Sequence, residues 1–169
     1  MKQIGFSLLG LVMFAAGFKA QTANPLSSDV KQAYESVKKN LLAAADKVPE
    51  SDYNFKPTPE VRSFAEVVGH AASAQLRTCG AINATESHGP ASETSKQQLV
   101  AGLKESFTAC DKAYESLTDA NAAEVVKLPR GQKTRLGALA GVVTHDTEQY
   151  AILSVYMRLK GIVPPSSER

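Results

Sequence analysis

The sequence lacks the short motifs that mark several common enzyme chemistries. It has no Gly-rich phosphate-binding loop, no Cys-x-x-Cys pair and no Gly-x-Ser-x-Gly elbow. These absences argue against nucleotide binding, thioredoxin-like redox chemistry and serine hydrolysis. Lysine and arginine are not clustered with aromatic residues either, so the sequence predicts no nucleic-acid-binding surface.

The N-terminal segment has the layout of a secretory signal peptide. A short basic start, residues 1–3, precedes the apolar run 4–18, which is too short to cross a membrane comfortably. We predict a signal peptide over residues 1–20, with cleavage between 17 and 23, and an uncleaved N-terminal anchor is the alternative. The protein is therefore expected to be exported, periplasmic or extracellular, with no membrane attachment after cleavage.

The slight positive charge of the chain belongs to this segment. The whole chain has a formal net charge of +2, and residues 1–20 contain Lys2 and Lys19 but no acidic residue. The remaining chain is formally neutral, so its charge balance indicates no acidic partner.

Cysteine is scarce, with only Cys79 and Cys110 in the chain. An even count in an exported protein favours a disulfide. Such a bridge would stabilise the fold by about 3–4 kcal/mol in the chain-entropy model. Two buried reduced thiols are the alternative.

Apolar residues recur at helical spacing in four segments of a single domain, residues 28–167, which follows a linker at 21–27. The first helix is predicted to begin with Ser28 and Asp29 as capping candidates and to end before Pro49. The second opens at the capping box 63–66 and runs to about residue 82.

The third and fourth helices have equally clear signals. Residues 95–98 form a further capping box, and an apolar stripe that includes Cys110 follows it. An extended segment with a turn at 129–131 precedes the last helix, which Thr134 caps and Gly161 ends. The fold class predicted is all-α, a four-helix bundle with a long crossover and a short extended segment before the last helix.

One face of the fourth helix carries the residues that are best suited to bind a ligand. His145 and Gln149 lie one turn apart, and Gly141 leaves space beside them. His70 on the second helix can join them if the two helices face each other. We therefore predict a His70, His145 and Gln149 pocket that holds a divalent metal or a small-molecule ligand; half-buried histidines without a ligand are the alternative.

Other polar and aromatic residues have simpler interpretations. Asp146 and Glu148 are expected to be solvated charges or partners for an imidazole N–H. His88 lies in a Ser/Gly/Pro-rich loop and is expected to have no role. Tyr150 and Tyr156 are expected to pack in the bundle.

Two segments resemble exported DinB-like proteins. Residues 144–150, continued by 156–167, look like the last helix and tail of that family, and residues 55–64 with Gly69 and His70 look like the start of its second helix and its first histidine. The resemblance covers residues 28–167. It implies a four-helix bundle of the DinB/YfiT type.

The resemblance also implies a metal site, since three histidines commonly bind nickel or zinc in this family. His70 matches the ligand on the second helix and His145 the first ligand on the fourth, but Gln149 stands where a third histidine is expected. A carboxamide is a weaker ligand than an imidazole for these metals, so binding should be weak or conditional. Pairing into homodimers through helices is implied as well.

Two functions follow as expectations. In the first, the protein is related to metal-dependent thiol transferases or to hydrolases. The transferases act on bacillithiol, mycothiol or glutathione. The second is a non-catalytic, disulfide-stapled binding or structural bundle with vestigial histidines. An oxidising compartment is a poor place to use low-molecular-weight thiols, which weighs against a transferase.

Overall fold

A computed structural model describes residues 23–85, 89–90 and 95–168 of the chain. The predicted signal peptide and His88 lie outside these residues. The helices are α1 (Pro25–Lys47), α2 (Phe64–Ile82), α3 (Lys96–Glu115) and α4 (Arg135–Leu159), with the strands β1 (Val125–Leu128) and β2 (Gly131–Thr134) between α3 and α4. Short 3₁₀ turns occur at Glu50–Asp52 and Pro165–Ser167. In the described part of the chain, no helix is long and apolar enough to span a membrane.

The four helices form the predicted bundle. Helix α2 packs against α3 and α4, and α1 packs against α4 and α3, so the connections α1–α2 and α3–α4 both cross the bundle. The core is built from the inward stripes of all four helices. Its largest fully buried side chains are Tyr34, Tyr53, Phe64, Phe107, Leu41, Leu99, Leu103, Leu117, Leu139, Leu153, Met157 and Gln75.

Local sequence signals account for three of the four helix starts. The Ser63 hydroxyl accepts from the Glu66 N–H, and the Glu66 carboxylate accepts from the Ser63 N–H, which completes the predicted capping box. The Ser95 and Thr134 side chains cap α3 and α4 by accepting from the N–H groups of Gln98 and Gly137. The capping box predicted at 95–98 is incomplete, because the Gln98 side chain accepts from the Ser95 hydroxyl instead of from its N–H. Gly161, with φ of 73°, follows α4 in the left-handed conformation that favours glycine.

The start of α1 differs from the prediction. The helix begins at Pro25, so residues 25–27 of the predicted linker are helical, and neither Ser28 nor Asp29 caps it. Instead, Asp119, which follows α3, accepts from the N–H groups of Leu26 (3.2 Å) and Ser27 (2.8 Å). A cap supplied from more than 90 residues away satisfies the free N–H groups of this end, and it leaves no local sequence signal.

The extended segment before α4 is one strand of a hairpin. Strands β1 and β2 pair antiparallel, with Val126 opposite Lys133 and Leu128 opposite Gly131. The sequence predicted an extended segment and the turn, but it predicted no sheet there and did not indicate the second strand. The hairpin packs against α2 and α4, and it therefore covers one side of the gap between these helices.

The disulfide links Cys79 in α2 to Cys110 in α3. Both residues are fully buried where the two helices meet. The bridge predicted from the even cysteine count is therefore present in the fold, and buried free thiols are not.

Exposed apolar side chains follow one face of α4, namely Ile152, Val155 and Leu159. Their spacing of three and four residues places them on the same stripe, away from the core. Pairing of two copies into a homodimer stays a prediction.

Candidate functional site

Helices α2 and α4 bring two of the predicted residues into direct contact. The Nε2 atoms of His70 and His145 lie 3.1 Å apart, and the two ring centroids are 5.0 Å apart. Both imidazoles are partly buried. The sequence prediction that α2 and α4 face each other at these positions is therefore correct.

The histidine pair lies in an open cleft of about 780 Å³ between α2, α4 and the hairpin. A cleft of this size can hold a small metabolite. The predicted space beside Gly141 is part of it. The hairpin reaches this space, because the Lys133 Nζ lies 3.6 Å from the position that a Cβ would take at Gly141.

Gln149 stands apart from the open cleft. It is buried, at 5% exposure, and is not one of the side chains that line the cleft. Its carboxamide Oε1 is buried and has no hydrogen-bond partner in the described part of the protein. An unsatisfied buried acceptor costs free energy, so an oxygen in this condition one turn from His145 is a candidate for holding a cation.

Asp146 is buried, so the prediction that it is a solvated charge is wrong. It is fully buried, whereas its neighbour Glu148 is exposed as predicted. Its Oδ2 accepts from the Gln75 Nε2 at 2.7 Å, and the Gln75 Oε1 accepts from the Ser106 hydroxyl at 2.6 Å. The polar chain of Gln75 and Ser106 allows α4 to bury a charged side chain against α2 and α3.

The second oxygen of Asp146 faces His145. Its Oδ1 lies 3.6 Å from the His145 Nδ1, on the opposite side of the ring from the nitrogen that meets His70. This distance is too long for a hydrogen bond, and the Asp146 Oδ1 has no hydrogen-bond partner in the described part of the protein. A shorter contact of this kind orients the ring of a histidine ligand in metal sites. The alternative interpretation of Asp146, as a partner for an imidazole N–H, agrees with this position.

Burial shifts the pKa values of both His70 and Asp146. Burial is the main cause that lowers the pKa of His70, and the charges of Arg62, His145, Arg77 and Arg130 lower it further. A neutral imidazole can bind a metal, whereas an imidazolium cannot. Burial raises the pKa of Asp146, although the neighbouring His145 and the hydrogen bond from Gln75 act in the opposite direction.

The two tyrosines of α4 pack as expected and do not line the cleft. Tyr150 and Tyr156 are 8% and 6% exposed. The Tyr150 hydroxyl donates to the Ser166 hydroxyl at 2.9 Å, and the Tyr156 hydroxyl donates to the Arg62 carbonyl at 2.9 Å. These bonds attach the C-terminal tail and the α1–α2 connection to α4.

The spacing of the two histidines is close to that of two imidazole ligands on one divalent metal. Two imidazole nitrogens on a tetrahedral zinc at about 2.05 Å would lie about 3.3 Å apart, close to the 3.1 Å that separates these Nε2 atoms. No group of three His, Cys, Asp or Glu side chains able to hold a metal occurs within the described ranges. Of the three predicted donors, the structure therefore brings the two imidazoles together, and Gln149 is not among the side chains that line their cleft.

Comparisons with solved structures place the fold among DinB-like bundles. A DinB-like protein from Bacillus cereus shares 15% identity with a TM-score of 0.69, over 82% of this chain and 95% of that one. A DinB family member from Exiguobacterium sibiricum shares 15% identity with a TM-score of 0.61, over 83% and 95%. A conserved protein from Enterococcus faecalis shares 13% identity with a TM-score of 0.64, over 79% and 95%.

A protein-family model identifies the family to which the chain belongs. No curated protein matches the chain. The model of the DinB superfamily matches residues 33–153, which include α2, the hairpin and both histidines of the cleft. The chain therefore belongs to the DinB superfamily.

Proposed function

We propose that this DinB superfamily protein is exported and binds a divalent metal, zinc or nickel, through His70, His145 and Gln149. The observation that carries the proposal is the 3.1 Å separation of the two Nε2 atoms at the base of a cleft. The unpaired buried oxygen of Gln149 supports a third, weaker contact. Binding by such a set is weaker than by three histidines.

A bound metal would supply a nucleophile by lowering the pKa of a water or thiol beside it. The protein's own residues would prepare this position. Asp146 lies beside the Nδ1 of His145, whose Nε2 faces His70, and a hydrogen bond from Gln75 fixes Asp146. Because reduced low-molecular-weight thiols are scarce outside the cytosol, water is the better candidate, which favours a hydrolase relative over a thiol transferase.

The second candidate function is a binding or structural bundle without a metal. It is favoured by the same separation, because 3.1 Å is also the length of a hydrogen bond between two neutral imidazoles. In that case one Nε2–H donates to the other ring nitrogen. The disulfide between α2 and α3 would then stabilise a scaffold in which the histidines only pack.

Metal titration distinguishes the two candidates. Metal-stripped protein titrated with zinc or nickel in a calorimeter should bind about one equivalent if the pocket is a metal site. His145→Ala should abolish that binding, and His88→Ala, which removes the one histidine of the chain that is not part of the proposed site, should not. Protein that binds no metal, or that loses it equally in both variants, would favour the scaffold.

Export is tested separately by the mass of the protein after secretion. Expressed as the full chain in a Gram-negative host, it should appear in the periplasm or medium lacking about the first 20 residues. Leu9→Arg, which interrupts the apolar run, should leave the chain unprocessed in the cell. Full-length protein retained in the membrane fraction would instead indicate the uncleaved anchor.

A further inference from the structure

Three cationic side chains lie along the wall of the cleft that contains the histidine pair. Arg77 comes from α2, Arg130 from the turn of the hairpin and Lys133 from β2, and all three line the cleft. They are exposed to solvent. Positive charge therefore reaches the cleft from three separate elements.

No carboxylate balances these charges within residues 23–85, 89–90 and 95–168. None of the three cations forms an ion pair there. Among the described residues that line the cleft, Asp146 is the one acidic side chain, and it is fully buried and hydrogen-bonded to Gln75. Like charges gathered around a concave site attract an anion.

The cations line the same cleft as the histidine pair. The Lys133 ammonium lies over Gly141, one turn before His145 on α4. Arg77 and Arg130 share the lining of this cleft with His70. An anionic group held by these side chains would thus lie above the two imidazoles rather than on the outer surface.

We infer, relying on the proposed function for the location of the ligand, that the cleft binds a small molecule with a doubly charged anionic group, a phosphate or a dicarboxylate. Arginine guanidinium groups pair with both by two parallel hydrogen bonds, and the lysine adds a point charge. The cleft volume of about 780 Å³ leaves room for the rest of a metabolite-sized ligand. The anion is held by side chains other than the metal ligands.

The hairpin offers a matched pair of variants. Lys133 lies opposite Val126 in the strand register, and Lys127 lies opposite Gln132. Adjacent strand residues point to opposite faces, and Leu128 and Lys133 both line the cleft, so Lys127 is on the other face. Lys127→Gln and Lys133→Gln therefore remove the same charge from the same hairpin, and only the second alters the cleft.

The experiment is calorimetric titration of the protein with inorganic phosphate and with succinate at constant ionic strength, in metal-stripped and zinc-loaded forms. Lys133→Gln and Arg130→Gln should each weaken binding of the preferred anion about tenfold or more, because each removes a charged hydrogen bond. Lys127→Gln should leave it unchanged. Preference for phosphate or for succinate identifies the class of ligand.

Three results would overturn the inference. They are no binding of either anion, equal effects of Lys127→Gln and Lys133→Gln, or anion binding that requires zinc and is indifferent to Arg130→Gln. Binding of the anion to metal-stripped protein supports the inference even when zinc does not bind. Failure of the metal proposal is therefore distinguishable from failure of the anion site.

Discussion

Replacing Cys79 and Cys110 together with alanine is expected to lower the free energy of unfolding by about 3–4 kcal/mol. The bridge closes a loop between α2 and α3 with a sequence separation of 31 residues. Without the bridge, the unfolded chain gains conformational entropy, which favours unfolding. For a domain of this size the melting temperature should fall by roughly 10 °C. Chemical denaturation of the non-reduced protein measures the effect.

Reduced wild-type protein is the matched control for this variant. It keeps both sulfur atoms in the buried contact between the helices but lacks the covalent bond. It should therefore lose nearly as much stability as the double variant, and reductant should leave the variant itself unaffected. Equal stability of the oxidised protein and the double variant would contradict a stabilising bridge.

Gln149→His is expected to tighten zinc binding by at least 10–100-fold, roughly the loss that follows removal of a supporting partner at known metal sites. The substitution replaces a weak carboxamide donor with an imidazole one turn from His145. Competition titration against a chelator of known affinity measures the change. Circular dichroism confirms that each variant remains folded.

Gln97→His controls for the added imidazole. Gln97 is an exposed residue near the start of α3, away from the cleft, so its substitution should leave zinc affinity unchanged. If Gln149→His behaves like Gln97→His, the side chain of residue 149 does not share a cation with the two histidines. The third position of the proposed site would then be wrong.

Local signals were sufficient to predict the four helices. Capping boxes, proline positions and apolar spacing depend on residues within a turn or two, and Ser63 with Glu66 forms the cap that its sequence predicts. The disulfide followed from cysteine count and expected compartment. These features do not require knowledge of what packs against each helix.

The features that sequence reasoning missed depend on contacts between distant segments. The start of α1 is set by Asp119. Strand β2 is exposed along its whole length and has no alternation of apolar and polar residues to indicate a strand. Its extended conformation depends on pairing with β1. The burial of Asp146 is explained by Gln75 and Ser106, polar residues within otherwise apolar helix faces, and that pattern was the available signal.

Part of the candidate site could be predicted from the sequence and part could not. Helical spacing and the family resemblance were enough to pair His70 with His145, because both depend on α2 facing α4. The cations of the cleft were not foreseen, because Arg130 and Lys133 reach it only through the hairpin. Their approach depends on tertiary packing that no local pattern encodes.

The most direct test of the metal site is anomalous diffraction from crystals of the zinc-loaded protein at the zinc absorption edge. We predict one strong peak about 2.0–2.1 Å from the Nε2 atoms of both His70 and His145. The Gln149 oxygen or solvent should complete the coordination. A peak elsewhere on the protein would contradict the proposed metal site. So would a direct hydrogen bond between the two imidazoles with no peak between them.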